Sequence, residues 1–235
     1  RAAEICAPKC RVAAAFAGMC RGFAARAEKD MDLFELKEIS PMLLGEEKQP
    51  FDDPDSICEL KLDGIRCIAY LGEGKTVLRN KRNKDVSALY PELAHMYRCA
   101  KKKCILDGEL VAFTGGKPDF YALQRRSLMA DPFRIALAAE RKPIAFVAYD
   151  ILYCGGRELT GEPLLRRKAA LAANVEEGHG LSISRYVEGR GVEFFALAAA
   201  QGLEGVVIKR KNGLYHSGRR TRDWIKVKVM QDEDL

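Results

Sequence analysis

No stretch of this sequence is long and apolar enough to cross a bilayer as a helix; its hydrophobic runs are short and broken by charge. Cysteine occurs eight times but forms no convincing disulfide framework. Cys58, Cys67 and Cys154 sit inside apolar, strand-like runs, where a reduced thiol packs as a small hydrophobe, so the set reads as the free thiols of a cytoplasmic protein. Cys6 and Cys10 with Cys20, or Cys99 and Cys104, lack the paired second half or the nearby histidine that a zinc site requires. Histidine is scarce: His95 in an expected helix and His179 in a Glu-Gly-His-Gly loop read as structural or solvent-facing, and only His216 lies beside a basic run where it can meet phosphate. No internal repeat and no low-complexity stretch follows Met31.

What is present is enough apolar residue for a sizeable core: 235 residues at 48% hydrophobic fit one large domain or two small ones. The net charge of +6 says little, because residues 1–30 hold six Lys/Arg against three acids and so account for half of it. That segment is Ala-rich and poor in acids, like a leader, a tail or a transit peptide, and residues 1–30 are expected to be an extension outside the fold. Residues 31–235 form the patterned domain. Strands are expected over 57–61, 65–71, 76–80, 104–113, 144–153, 181–187, 205–209 and 224–229. Helices are expected over 90–100, 120–129, 134–141, 163–173 and 192–201. Short connections such as Gly72-Glu73-Gly74-Lys75 point to antiparallel sheets with helices outside, an α+β fold.

One octet stands out, Glu59-Leu60-Lys61-Leu62-Asp63-Gly64-Ile65-Arg66. On an extended segment side chains alternate, so Glu59 and Lys61 share one face while Cys58, Leu60 and Leu62 point to a core. Asp63-Gly64 is a turn signal, after which a second strand carries Arg66 back past the same site. A lysine, two acids and an arginine converge. In Ile-Leu-Asp-Gly-Glu-Leu, alternation places Asp107 and Glu109 on one strand face, suited to Mg²⁺ or a ribose hydroxyl; alone, the hexapeptide reads more readily as an Asp-Gly turn with a solvated Glu. Tyr149, in an aromatic-rich strand, can offer its ring to a base or simply pack in a core. Glu-Gly-Val-Val-Ile-Lys (204–209) and Trp-Ile-Lys-Val-Lys (224–228) follow, and Lys226 and Lys228 share a strand face. Residues 204–228 carry eight Lys/Arg against only Glu204 and Asp223, a local excess suited to polyphosphate or nucleic acid, or to a solvated basic face.

Together and in this order, from Pro41-Met42-Leu43-Leu44 onward, these clusters resemble the nucleotidyltransferase (adenylation) domain of the ATP-dependent DNA ligases. The likeness is strongest to compact bacterial ligases and the ligase module of bacterial end-joining enzymes. The resemblance implies two antiparallel β-sheets flanked by helices. It implies that Lys61 is the nucleophile that takes AMP from ATP as a covalent lysyl-AMP, with Mg²⁺ or Mn²⁺ held by Asp63, Glu109 and Glu204. Glu59, Arg66, Arg82, Glu109, Tyr149 and Glu204 are implied to hold the nucleotide, with Tyr149 where the family stacks a ring, usually Phe, on adenine. Lys226 and Lys228 match paired lysines near the α-phosphate, and Arg82 and Arg219 match arginines that touch DNA phosphate. The partner implied is nicked or broken double-stranded DNA, met by a monomer in the cytoplasm, in repair, recombination or replication. Family members continue into an OB-fold domain; it is not among these 235 residues and is expected to be needed for full activity. The Lys-x-Asp-Gly core is shared with RNA ligases and mRNA-capping guanylyltransferases, and a non-catalytic remnant would also keep the basic stripe.

Overall fold

The computed structural model describes residues 32–229, so the expected extension over 1–30 lies outside the described residues. In chain order the elements are α1 (Leu33–Leu36), β1 (Leu43–Glu46), β2 (Ser56–Leu60), β3 (Ile65–Gly72), β4 (Lys75–Asn80), β5 (Cys104–Thr114), β6 (Lys117–Pro118), α2 (Phe120–Ser127), α3 (Pro132–Arg141), β7 (Ile144–Cys154), β8 (Arg157–Glu158), α4 (Leu164–Asn174), β9 (Leu181–Ile183), β10 (Tyr186–Glu188), α5 (Gly191–Ala200), β11 (Gly205–Arg210) and β12 (Arg220–Lys228). One sheet runs β1-β12-β11-β2-β10; the other runs β4-β3-β5-β7-β8, with β6 added to β5 and β9 to β7. This is the expected α+β arrangement, antiparallel except for one parallel pair in each sheet, β1 with β12 and β7 with β9.

Strand alternation builds the layers. In β2, Ile57 faces inward to a cluster with Ile68, Tyr70, Ile105 and Trp224 between the sheets. Its neighbour Cys58 faces outward, to a cluster with Val206, Ile208, Val227 and Ala198 of α5. The second sheet covers its other face with α2, α4 and the segment around Leu93 and Met96. Each fully buried aliphatic side chain such as Ile57 or Ile68 contributes about 1.5–3 kcal/mol to this packing. Helix starts are set by carboxylates: Asp119 accepts from Ala122 N (2.9 Å) and Asp131 from Arg134 N (3.0 Å), each satisfying a first-turn amide.

Three sequence expectations need correction. Residues 90–100 are not an α-helix but two 3₁₀ turns, Pro91–Leu93 and Met96–Cys99. Pro91 has no amide to donate, and Tyr97 N donates to Thr76 Oγ1 (3.0 Å) rather than to a carbonyl four residues back. The strand expected over 181–187 is two strands in different sheets, β9 beside β7 and β10 beside β2. The Asp63-Gly64 turn does not close a hairpin either, because β2 and β3 belong to different sheets. It is a crossing between sheets, and Gly64 permits it: a Cβ there would lie 2.3 Å from Leu110 O and 2.6 Å from Glu109 Cγ.

A buried ion pair ties α4 to β7. Arg167 and Asp150 are both fully buried; Arg167 donates to Asp150 Oδ1 and Oδ2 (2.9 Å each) and to Gly213 O (3.1 Å). Removing one partner strands the other charge away from water. Arg167→Met is expected to lower unfolding free energy by about 3–5 kcal/mol, read from urea denaturation midpoints; a loss within experimental error would show that the pair contributes nothing.

Candidate active site

Where the inner faces of the two sheets part, they enclose a cleft of about 390 Å³, within the usual range for a small-molecule site. Lys61 stands at its edge, one residue beyond β2, with its amide donating to Gly205 O (2.9 Å). The β2–β11 pairing places Leu60 opposite Val206, which brings Lys61 to Glu204, and the Lys61 ammonium is ion-paired with the Glu204 carboxylate. Asp63 follows on the crossing segment, where burial, reinforced by the Glu204 carboxylate, raises its pKa.

Glu59 and Lys61 both line the cleft, as alternation requires. Glu59, however, is not the partner of Lys61. Its buried carboxylate accepts from Lys168 of α4 and from Lys209 of β11 (2.7 Å to the latter). Burial alone would raise the Glu59 pKa, and the two ammonium groups outweigh that and hold it below the ordinary range. Burial in turn lowers Lys209 to about 8. Its ammonium lies 4.4 Å from the Tyr149 ring centre and 4.1 Å from that of Trp224.

The opposite wall is polar. Arg66 donates to both oxygens of Asp107 (2.7 and 2.6 Å), and its guanidinium lies 4.7 Å from the Tyr149 ring centre. Asp107 is further fixed by the Tyr215 hydroxyl (2.7 Å). Glu109 has weaker support: Tyr149 OH donates to it across 3.4 Å. Its burial, only partly offset by the Arg66 charge, pushes its carboxyl up to about 7. Tyr149 sits at a bulge in β7, between Ala148, which pairs with Gly108, and Asp150, which pairs with Asp107. Because Phe146 and Ala148 pack in the core on the other face, alternation turns Tyr149 to the cleft.

Four further basic residues, Lys81, Arg220, Lys226 and Lys228, line the cleft; Lys228 lies opposite Gly205, whose carbonyl accepts from Lys61 N, and Lys226 pairs with Glu46 of β1 (2.9 Å). Of the residues singled out in the sequence, the cleft brings together Glu59, Lys61, Asp63, Arg66, Glu109, Tyr149, Glu204, Lys226 and Lys228. Arg82 and Arg219 are exposed and do not line it; their neighbours Lys81 and Arg220 do. His216 is 3.9 Å from Asp223 and also outside the lining. Lys168 and Lys209 were missed. Lys209 ends a quoted motif on the same strand face as Val207, so alternation could have found it, whereas Lys168 reaches Glu59 from a helix more than a hundred positions away.

Lys61 and the carboxylates Glu59, Asp63, Glu109 and Glu204 thus line one cleft of an α+β domain, together with further cations and the rings of Tyr149 and Trp224. The description "ATP dependent DNA ligase domain" matches residues 41–228, and the chain belongs to that family. It is 34% identical over 190 residues to the SPbeta prophage-derived DNA ligase-like protein LigB of Bacillus subtilis (strain 168), covering 80% of this chain and 67% of that protein. It is likewise 34% identical over 212 residues to DNA ligase C1 of Mycolicibacterium smegmatis, covering 87% and 60% of the two chains. A solved structure of mycobacterial DNA ligase D complexed with ATP and MES superposes with a TM-score of 0.70 at 28% identity, over 83% of this chain and 62% of that one. The match spans only 31% of the DNA ligase of Pyrobaculum islandicum, so relatives carry substantial further sequence.

The Glu109 carboxyl gives a test without ligand. Its folded pKa of about 7 lies above the ordinary 4.5, so the folded state binds more protons between these values. Stability is therefore fully present below the lower value and is lost as pH rises through the upper one. Glu109→Gln is expected to flatten that decline in denaturation measured from pH 4.5 to 7; an unchanged slope would assign it to other groups.

Proposed function

We propose that this domain carries out the nucleotidyl-transfer chemistry of an ATP-dependent DNA ligase, with Lys61 as the residue that takes AMP. The observation that carries the proposal is the ion pair of Lys61 with Glu204 at the edge of a cleft that Lys81, Arg220, Lys226 and Lys228 also line. In the first step Lys61 Nζ forms a bond to the α-phosphorus, the bond from that phosphorus to the bridging oxygen breaks, and pyrophosphate leaves with the electron pair. A lysine attacks only as the neutral amine, and a free one is almost wholly protonated at neutral pH. Lys226, Lys228 and Arg220 approach the same phosphates, where their charge favours loss of the Lys61 proton and stabilises the departing anion.

The cleft chemistry favours adenine. Adenine presents an exocyclic amine that donates and a ring nitrogen, N1, that accepts; Glu59 accepts and Lys209 donates, on the floor beside the Tyr149 ring. Guanine reverses both groups, presenting an acceptor to Glu59 and a donor to Lys209, which leaves buried polar atoms mismatched.

The donor set also fits a hard divalent cation. Asp63, Glu109 and Glu204 offer oxygen only, and burial raises the carboxyls of Asp63 and Glu109, a penalty that a bound cation would offset. Among the described residues no three His, Cys, Asp or Glu side chains form a group that could hold a metal by themselves; the proposed Mg²⁺ or Mn²⁺ would be held by one or two of these carboxylates together with substrate phosphates. When bound, that cation supplies Lewis-acid stabilisation of phosphate charge.

The AMP then passes to a DNA 5′-phosphate, and a 3′-hydroxyl displaces it to seal the strand. Arg82 and Arg219, exposed beyond the cleft, are available to the DNA backbone. A monomer working in the cytoplasm, in repair, recombination or replication and with an OB-fold partner domain, completes this reading.

Intact mass after incubation with Mg²⁺ and ATP or GTP tests the first step. An AMP adduct from ATP is expected; a GMP adduct from GTP would instead indicate a capping-type guanylyltransferase, and sealing of a nick already carrying AMP separates a ligase from a binding remnant if no adduct forms. Glu59→Gln is expected to reduce the preference for ATP over GTP by about ten-fold, and equal selectivity in the variant would refute the base-reading role. Lys226→Ala is expected to slow adduct formation by about 100-fold, and an unchanged rate would remove Lys226 from the phosphate site.

A further inference from the structure

Cys104 opens β5 and Cys154 closes β7, and the two face each other across the antiparallel ladder. Their kind of pairing follows from the next step along it: Gly155 N donates to Lys103 O (2.9 Å), so residues 103 and 155 form a hydrogen-bonded pair, and 104 with 154 is the adjacent non-hydrogen-bonded one. At such positions the Cα atoms approach to about 4.5 Å and the side chains lie closest, inside the Cα range of about 4.4–6.8 Å that a disulfide spans. Both side chains face the same core, that of Leu106, Ile151 and Leu171.

The two thiols differ in access. Cys104 is fully buried, whereas Cys154 is half-buried and leads directly into the Gly155-Gly156 turn, both glycines at positive φ. Cys99, the remaining thiol of this region, donates its S–H to Gly178 O (3.1 Å) and is thereby occupied.

We propose that Cys104 and Cys154 are a modification site: a cross-strand thiol pair that a hydroperoxide closes to a disulfide. The accessible Cys154 sulfur, as thiolate, attacks one peroxide oxygen, the O–O bond breaks, and a sulfenic acid forms with release of the first water or alcohol. The Cys104 sulfur then attacks the Cys154 sulfur, the S–O bond breaks, and hydroxide takes up the proton lost from Cys104 as a second water. Two thiols are oxidised by two electrons in total, and the peroxide is reduced by the same two. Burial raises both thiol pKa values, Cys104 the further, so Cys154 is the entry point and closure is slow. The bond would fix the first residue of β5, the strand of Asp107 and Glu109, to the end of β7, the strand of Tyr149. The cleft walls would then be held at one end by a covalent link.

The test is to expose the whole chain to hydrogen peroxide, block remaining thiols with an alkylating reagent, and map peptides without reduction. The expected result is a Cys104–Cys154 linked peptide lighter than its two parts by two hydrogen atoms, abolished in Cys154→Ser and restored to two free peptides by a reductant. Cys58, Cys67 and Cys99 are expected to remain alkylatable after unfolding. Cys154→Ser changes a half-buried position and should fold. Oxidation of Cys154 without linkage to Cys104, linkage of Cys154 to any other cysteine, or no reaction at either thiol would each overturn the proposal.

Discussion

A charge removed from water has to meet its opposite, and this constraint organises the molecule around its cleft. Four cations sit at or below the floor, and each has a carboxylate. Arg167 is held by Asp150, Arg66 by Asp107, and Lys168 and Lys209 share Glu59. In each of these pairs the carboxylate is at most 2% exposed. Lys61 and Glu204 differ: their side chains remain 18% and 28% exposed, so a nucleotide or a cation can separate them without stranding a charge in the core. The Lys61–Glu204 and Lys226–Glu46 pairs at the cleft are thus open to solvent, while the buried pairs keep the walls in place.

Those walls come from simple geometry. Because sheet side chains alternate, the strands that bury Cys58, Val206, Ile208 and Val227 under α5 present Glu59, Val207, Lys209 and Lys226 to the opposite side. The second sheet contributes Arg66, Asp107 and Glu109 by the same rule, as it does Tyr149, whose neighbour Ala148 packs on the other face. Gly64 lets the chain pass from one sheet to the other between Lys61 and Arg66, so the octet proposed to carry the chemistry is also the link between the layers.

Much of this was legible in the sequence. Alternation in Glu59–Lys61, Asp107–Glu109 and Lys226–Lys228 was enough to turn those side chains to the cleft side, because a strand has only two faces, although Asp107 is fully buried beneath Arg66 and does not line the cleft. Segments governed by distant partners were not legible. Residues 90–100 have the composition of a helix, but their hydrogen bonding is settled by Thr76; the run 181–187 has the pattern of a single strand but is divided between two sheets. The role of Lys168 depends on the docking of α4, which no local spacing encodes. Arg82 and Arg219 show the limit of motif matching at turns, where a shift of one residue decides whether an arginine lines a cleft or points to solvent.

The most direct measurement is to identify which side chain carries the nucleotide, by peptide mapping of the chain after incubation with ATP and Mg²⁺. AMP on the peptide containing Lys61, and its absence from a Lys61→Ala variant that still folds, is the expected result. AMP on Lys209, Lys226 or any other residue, or persistence of the adduct in the variant, would contradict the assignment of Lys61 as the nucleophile.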